Sequence, residues 1–166
     1  MVVLDSSAVI PLLKIGKLDL IFHNFSEIFV PVAVWEEVVV QGKEFGKQYA
    51  LFEGNKEKFT HIPCQKKEDA KEFAKNNSID VADAEVLFLA KEKNDVLLTN
   101  DAALHACCVS QGVKVWWLTT LILASVKRKY ITKKEAEEVL MQLVSAGGMH
   151  LRSDIFVELL LIVRNL

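Results

Sequence analysis

Residues 95–104, DVLLTNDAAL, contain the pattern that decides the fold. A short apolar run, Val96 to Leu98, leads to Thr99 and a polar turn, and the composition from Ala102 onward is helical. Short apolar runs bounded by turn-forming residues are typical of buried strands. Asp101 is therefore predicted to lie just past the carboxyl end of a parallel strand, at the edge where open α/β sheets bind ligands.

Strand and helix patterns alternate on both sides of this stretch. The predicted strands are at residues 1–4, 28–30, 59–62, 95–99 and 113–118. The predicted helices are at residues 6–13, 18–25, 31–41, 66–77, 79–93, 102–111, 119–129, 132–146 and 153–163, with a weakly patterned stretch at 43–58. This alternation predicts a three-layer α/β/α fold with a central parallel sheet. Because strand patterns end at Leu118, we expect an α/β domain at 1–118 and a helical extension, packed on it, at 119–166.

Composition limits the class of protein. Hydrophobic residues make up 51% of the 166 residues, which is enough for a sizeable core. The net charge of −2 argues against a surface coated with basic charge for nucleic acid. Cys107 and Cys108 are adjacent, which is a poor geometry for a disulfide and favours a reducing compartment. No run approaches the ~20 apolar residues of a membrane span, so we expect a cytoplasmic protein without membrane contact.

Asp5 follows the first predicted strand as Asp101 follows the fourth. Either residue alone is well explained as a helix N-cap. Two carboxylates at one edge of a sheet are less easily explained in that way, because like charges repel unless a cation lies between them. We therefore regard Asp5 and Asp101 as candidate metal ligands.

Asp83 is the most informative acidic residue. At ~100° per residue, the helical pattern places it within the apolar stripe of Val86, Leu87 and Ala90 and turns Glu85 toward water. A buried carboxylate needs a partner, a proton or a metal. Its position in the first helical turn also suits the helix dipole, but the dipole does not explain why Asp83 lies on the apolar side of the helix.

Two further positions remain open on periodicity alone. Glu36 and Glu37 lie at similar angles from their helix's apolar stripe, so the pattern does not choose between them. Thr99, and Ser6 beside Asp5, are predicted to position the candidate ligands through their hydroxyl groups, although threonine at the end of a strand more often satisfies local backbone groups.

Carboxylates without histidine or cysteine ligands suit hard cations such as Mg²⁺ or Mn²⁺. Such an ion can activate water and neutralise charge developing on a phosphoryl group. The sequence has neither a nucleophile elbow nor a glycine-rich phosphate loop. The chemistry indicated is attack of water on a phosphodiester.

The order of these motifs resembles that of the PIN-domain nucleases. The motifs are VVLDSSAVI with Asp5, PVAVWEEVV with Glu37, DVADAEVLFLA with Asp83 and VLLTNDAAL with Asp101. The tail, with TLILASVKRKYI and LVSAGGMHLRSDIFVELLL, is similar to a little-characterised prokaryotic PIN-like subfamily with a helical C-terminus. The resemblance covers the body to Leu118 through its motifs.

The resemblance implies a metal-dependent endoribonuclease acting on single-stranded RNA. It implies Glu37 as the fourth acid in place of Glu36, and Thr99 as the family's hydroxyl position. Relatives of this kind include toxins of VapC type, which a small antitoxin protein inhibits. Many of these toxins have a further acid where this chain has Leu104, which is a departure from their pattern.

Predicted contacts with other molecules rest on the tail. Its densest basic patch is a candidate for RNA binding and consists of Lys127, Arg128, Lys129, Lys133 and Lys134. Lysines at the end of a helix also favour its dipole, which is the ordinary explanation. The apolar tail helices are expected to pack on the body, and a homodimer contact is the alternative.

Other classes of protein were compared with the same motifs. A phosphoaspartate receiver needs paired acids after its first strand, where this chain has Leu4 and Asp5. A phosphatase of the haloacid-dehalogenase type needs an aspartate at the position of Ser7. The remaining alternative is a catalytically weak or inactive PIN-like scaffold that binds RNA or protein.

Overall fold

The protein is built around a five-stranded parallel sheet. The computed structural model describes the backbone of residues 1–166 and every side chain except those of residues 48 and 51. The sheet has the strand order β3-β2-β1-β4-β5. The strands are β1 Val2–Leu4, β2 Ile28–Pro31, β3 Thr60–Ile62, β4 Val96–Leu98 and β5 Val115–Trp116.

Helices connect and cover these strands. They are α1 Ser6–Lys14, α2 Asp19–Asn24, α3 Val32–Gly42, α4 Lys47–Glu53, α5 Lys67–Asn77, α6 Val81–Lys93, α7 Ala102–Ser110, α8 Leu118–Lys127, α9 Lys133–Ser145 and α10 Ser153–Asn165, with 3₁₀ turns at Lys43–Phe45 and Lys56–Lys58. Helix α1 packs on α3 and α2 packs on α8, whereas α6 packs on α5, α7 and the three strands β1, β2 and β4. The predicted three-layer α/β/α fold is confirmed.

The structure differs from the prediction between β2 and β3. Residues 43–58, predicted to be weakly patterned, contain α4 between two 3₁₀ turns. Phe52 anchors α4 in the core, and Trp35 and Phe59 pack against its ring. The spacing of these aromatic residues is not helical, so periodicity missed the helix. Pro31 ends β2 and precedes α3, and was wrongly predicted to lie in the first turn of the helix.

The tail after β5 is helical, as the pattern indicated. Thr132 and Glu135 form the predicted capping box at the start of α9. Leu121, Leu140 and Val163, one from each tail helix, belong to the same hydrophobic cluster as the strands. The division into units 1–118 and 119–166 remains a prediction. Among the described residues, no helix combines the length and apolar composition needed to cross a membrane.

Candidate active site

Two of the predicted acids reach the same edge of the sheet because their strands are neighbours. Asp5 directly follows β1, and Asp101 lies three residues after the end of β4. Strands β1 and β4 pair in parallel, with Leu4 opposite Leu98. The backbone N–H of Asp5 donates to the carbonyl of Leu98, at 3.1 Å, and this bond continues the pairing to the end of both strands.

The Asp5 carboxylate is buried at this edge, with 2% of the residue exposed. Its Oδ2 accepts hydrogen bonds from the Ser7 hydroxyl and from Thr99 Oγ1, the latter at 2.7 Å. Burial raises the pKa of Asp5, and these two hydrogen bonds, together with weaker ones from the backbone N–H groups of Ser6 and Ser7, oppose that rise. Asp5 occupies the N-cap position of α1, and its closest hydrogen-bond partners are the hydroxyl groups of Ser7 and Thr99.

Two hydroxyl groups hold Asp5 and the loop after β4 together. Thr99 Oγ1 donates to Asp5 and accepts from the backbone N–H of Asp101 at 3.0 Å. Ser7 Oγ donates to Asp5 and accepts from the backbone N–H of Asn100 at 2.8 Å. Thr99 therefore has the positioning contact that was expected of it.

Ser7, and not the predicted Ser6, makes the serine contact to Asp5. Among the described residues, the Ser6 side chain has no hydrogen bond to that carboxylate. The motif DSS provides two candidate hydroxyls, and sequence alone does not show which of them faces the sheet. The sequence feature that could have identified Ser7 is its position two residues after Asp5, in the first turn of the predicted helix.

Asp101 is the N-cap of α7. Its Oδ1 accepts from the backbone N–H of Leu104 at 2.7 Å, so the capping explanation is correct for this residue. The cap engages Oδ1, and among the described residues no hydrogen bond engages Oδ2. Leu104 is fully buried, and at this position the chain contributes an apolar side chain to the core instead of a further acid.

Asp83 lies in the first turn of α6, close enough to the other acids to be affected by their charge. Partial burial and repulsion from Asp5, Asp101 and Asp80 raise the pKa of Asp83 to about 6. The carboxyl groups of Asp5, Asp83 and Asp101, which are the candidate ligands from the sequence, therefore interact electrostatically. Three neighbouring negative charges would be stabilised by a cation.

The facing argument for α6 was wrong for Glu85, and burial does not set Asp83 apart from it, because both residues are half-buried. Glu85 is half-buried, although it was predicted to turn toward water. The reason is that α6 is covered on two sides. Val86 and Leu87 belong to the main core, whereas Ala84 packs with Ala70 and Ala74 of α5 in a second apolar cluster.

Glu36 and Glu37 are both exposed, but they face different surroundings. Glu37 lines a groove together with Ser6, Ser7 and Asn100, next to the contacts of Asp5. Its Oε1 accepts from Gln41 Nε2 at 3.0 Å. Glu36 does not line this groove. Glu37 is thus nearer than Glu36 to the contacts of the buried Asp5 carboxylate. It still lies outside the group formed by Asp5, Asp83 and Asp101.

The donor set is compatible with a hard divalent cation. Carboxylate oxygens are the ligands that Mg²⁺ and Mn²⁺ prefer. Burial and, after it, repulsion from Asp5 and Asp101 raise the pKa of Asp83, and a cation would relieve that repulsion. Among the described residues, no three His, Cys, Asp or Glu side chains are already close enough to hold one ion together. The acids fit such an ion in chemistry and charge.

The basic patch of the tail lies away from these acids. Helix α8 begins just after β5 and ends at Lys127, so its ten residues carry the patch about 15 Å along the helix axis. Arg128 Nη1 donates to the backbone carbonyl of Asn24, at the end of α2 and before β2. Lys133 Nζ donates to the carbonyl of Arg164. Two of the five cations therefore already contact the protein itself.

The match to a family model agrees with this architecture. The family model that matches residues 1–164 is described as a PIN domain. A solved structure described as "a domain of a functionally unknown protein" from Methanocaldococcus jannaschii DSM 2661 is 23% identical, with a TM-score of 0.45. That similarity covers 70% of this chain and 89% of the other. The search of curated proteins found no match.

Proposed function

We propose, from the premise that this chain belongs to the PIN-domain family, that it is a Mg²⁺- or Mn²⁺-dependent endoribonuclease of single-stranded RNA. The family has a nuclease-type fold. The observation that supports the proposal best is that β1 and β4 pair side by side and bring Asp5 and Asp101 to one edge of the sheet, where both also repel the half-buried Asp83 carboxylate. Acids that repel one another at the ligand-binding edge of a parallel sheet are suited to a cation-dependent reaction.

The side chains would have different tasks. Asp5, Asp83 and Asp101 would hold one or two ions, and Glu37 would act directly or through water. Thr99 and Ser7 would fix the orientation of the Asp5 carboxylate. A bound divalent ion supplies neutralisation of the phosphodiester charge and activation of water. Asp83 has to lose its proton before it can act as a ligand, so we expect metal binding to strengthen as pH rises through about 6.

A calorimetric titration with Mn²⁺ at pH 8 tests the metal requirement. The native protein should bind Mn²⁺, and Asp83→Asn should bind it far more weakly. Glu85→Gln is the matched control, because it removes a half-buried carboxylate from the same helix without touching the site. Equal Mn²⁺ binding by the native protein and Asp83→Asn would contradict the ligand assignment.

The same titration separates the nuclease from the scaffold alternative. A scaffold that binds RNA or protein without cleaving it has no need of a metal at these acids. Absence of Mn²⁺ binding, together with RNA binding, would therefore favour the scaffold. The mutual repulsion at Asp83 favours the nuclease, because an inactive scaffold gains nothing from keeping these carboxylates together.

The finer assignments are proposals as well. They are the toxin role, inhibition by an antitoxin protein, RNA contact by the basic patch and a cytoplasmic location. Because the basic patch lies away from the acids, an RNA chain would have to extend along α8 to contact both the patch and the acids. A homodimer is tested directly by the molar mass in solution.

A further inference from the structure

A groove of mixed polar and apolar lining opens beside the buried Asp5 and runs toward the tail. It has a volume of about 390 Å³ and lies between α1, α3, the loop after β4 and the turn between α9 and α10. We call it the tail groove. Its lining residues are Ser6, Ser7, Ile10, Pro11, Lys14, Glu37, Gln41, Asn100, Gly147, Gly148 and His150. Because Ser7 hydrogen-bonds to Asp5, one end of the tail groove adjoins the proposed catalytic site.

The α9–α10 turn is built so that it reaches this groove. Met149 is buried, and its backbone N–H donates to the carbonyl of Leu143 at 2.9 Å, which anchors the turn in the core. Gly148 has φ +80°, a conformation that favours glycine. A Cβ on Gly148 would lie 3.8 Å from Lys14 Nζ, so the turn passes directly against the lysine. His150 follows on the groove wall.

Lys14 is a cation without a carboxylate partner in this groove. Among the described residues, no acidic oxygen lies within ion-pair distance of its Nζ. Glu37 shares the groove but accepts from Gln41 instead. Lys14 is half-buried, and its ammonium lies 5.3 Å from the ring centroid of Phe45. An ammonium group without a carboxylate partner is a donor of the kind that contacts phosphate oxygens.

We propose that the tail groove binds the phosphodiester backbone of single-stranded RNA beside the acids, with Lys14 as the main phosphate contact and His150 as the second. This inference rests on the proposed function. Among the described residues, no Phe, Tyr or Trp side chain lines the groove, so His150 is the one aromatic ring there on which a base could stack. Recognition through the backbone alone is independent of base sequence. The tail is then part of the substrate site and not only a cover for the core.

Binding of fluorescein-labelled, mixed-sequence single-stranded RNA, followed by anisotropy, tests this inference. The Asp101→Asn protein is used so that the RNA stays intact. Adding Lys14→Ala should weaken binding for every sequence and reduce the slope of log K against log salt by about 0.7, the value for one phosphate contact on a single strand. His150→Ala should weaken binding as well. Lys75→Ala, an exposed lysine on α5 outside the groove, is the control and should leave both quantities unchanged.

The outcomes separate the two proposals. If the native chain cleaves RNA but Lys14→Ala changes neither affinity nor salt slope, the tail groove is not the RNA path and the nuclease proposal stands. If the native chain neither binds nor cleaves RNA, the proposed function fails and the groove inference fails with it. If Lys75→Ala weakens RNA binding as much as Lys14→Ala does, the groove proposal is also overturned. The loss would then follow from the change in net charge and not from a contact in the groove.

Discussion

At the level of single residues, the charge of Asp83 is linked to the stability of the fold. Its pKa is raised from 3.8 to about 6, so between these pH values the native chain holds more protons than the unfolded chain. The free energy of unfolding of the metal-free protein therefore falls as pH rises from about 4 to about 6 and stays lower above that range. Added Mn²⁺ should oppose this loss, because it binds the deprotonated native state.

Asp83→Asn removes the charge that causes this loss. At pH 8 without metal, we expect a free energy of unfolding about 1 kcal/mol above that of the native protein, a value reduced for solvent screening because Asp83 is partly exposed. The difference should disappear near pH 4, where both chains are neutral at this position. Urea unfolding with EDTA at both pH values measures it. A variant less stable than the native protein at pH 8 would contradict the repulsion.

Ser7 and Ser6 form a matched pair of neighbouring hydroxyls. Ser7→Ala removes a donor to Asp5 and leaves the backbone N–H of Asn100 without its acceptor. We expect a loss of about 1–3 kcal/mol in the free energy of unfolding and weaker Mn²⁺ binding. Ser6→Ala should stay within about 0.5 kcal/mol of the native protein. Equal effects of the two substitutions, in urea unfolding and Mn²⁺ titration, would show that Ser7 has no special role.

At the level of secondary-structure elements, Asp101 has two tasks that substitution can separate. It caps α7 through Oδ1 and is a proposed metal ligand. Asparagine is as good an N-cap as aspartate, so Asp101→Asn should keep the stability of the native protein, whereas Asp101→Ala should lose about 1 kcal/mol. Both variants should lose Mn²⁺ binding. Thermal unfolding compares the caps, and a large loss of stability in Asp101→Asn would show that its negative charge is also needed for the fold.

Elements with a regular apolar pattern were predictable from the sequence. Strands β1 and β4 are short, fully apolar and followed by aspartate, and these features alone indicated a sheet edge with two carboxylates. Helix α4 was missed because the contacts that hold Phe52 in the core include Trp35 and Phe59, which lie outside the helix. The half-burial of Glu85 was missed because one periodic stripe cannot describe a helix packed on two sides.

Contacts between distant residues were beyond the reach of periodicity. Ser7 and Asn100 are 93 residues apart in sequence, and they meet only because β1 and β4 are adjacent in the sheet. The strand order that creates this adjacency is not encoded in any one segment. The tail groove is similar, since Lys14 and the turn at Gly148 come from opposite ends of the chain. The family resemblance favoured Glu37 over Glu36, and in the structure Glu37 lines the tail groove whereas Glu36 does not.

At the level of the whole molecule, the tail and the sheet share a core. Leu143 of α9 is fully buried within the same cluster as the strands. Leu143→Ala should lower the free energy of unfolding by about 2–5 kcal/mol. Because the core is shared, unfolding followed by tryptophan fluorescence and by far-ultraviolet circular dichroism should still coincide. Val144→Ala, at an exposed neighbour, is the control. Separate transitions for the two signals would instead favour independent units.

The most direct test of the central claim is cleavage of single-stranded RNA by the native protein and by Asp101→Asn. Asp101→Asn is the suitable variant because the helix cap is retained while the carboxylate is lost. With Mn²⁺ or Mg²⁺, the native protein should cleave the RNA internally, EDTA should stop cleavage, and Asp101→Asn should be inactive. Equal cleavage by both proteins, or cleavage that persists in EDTA, would contradict a metal-dependent nuclease built on these acids.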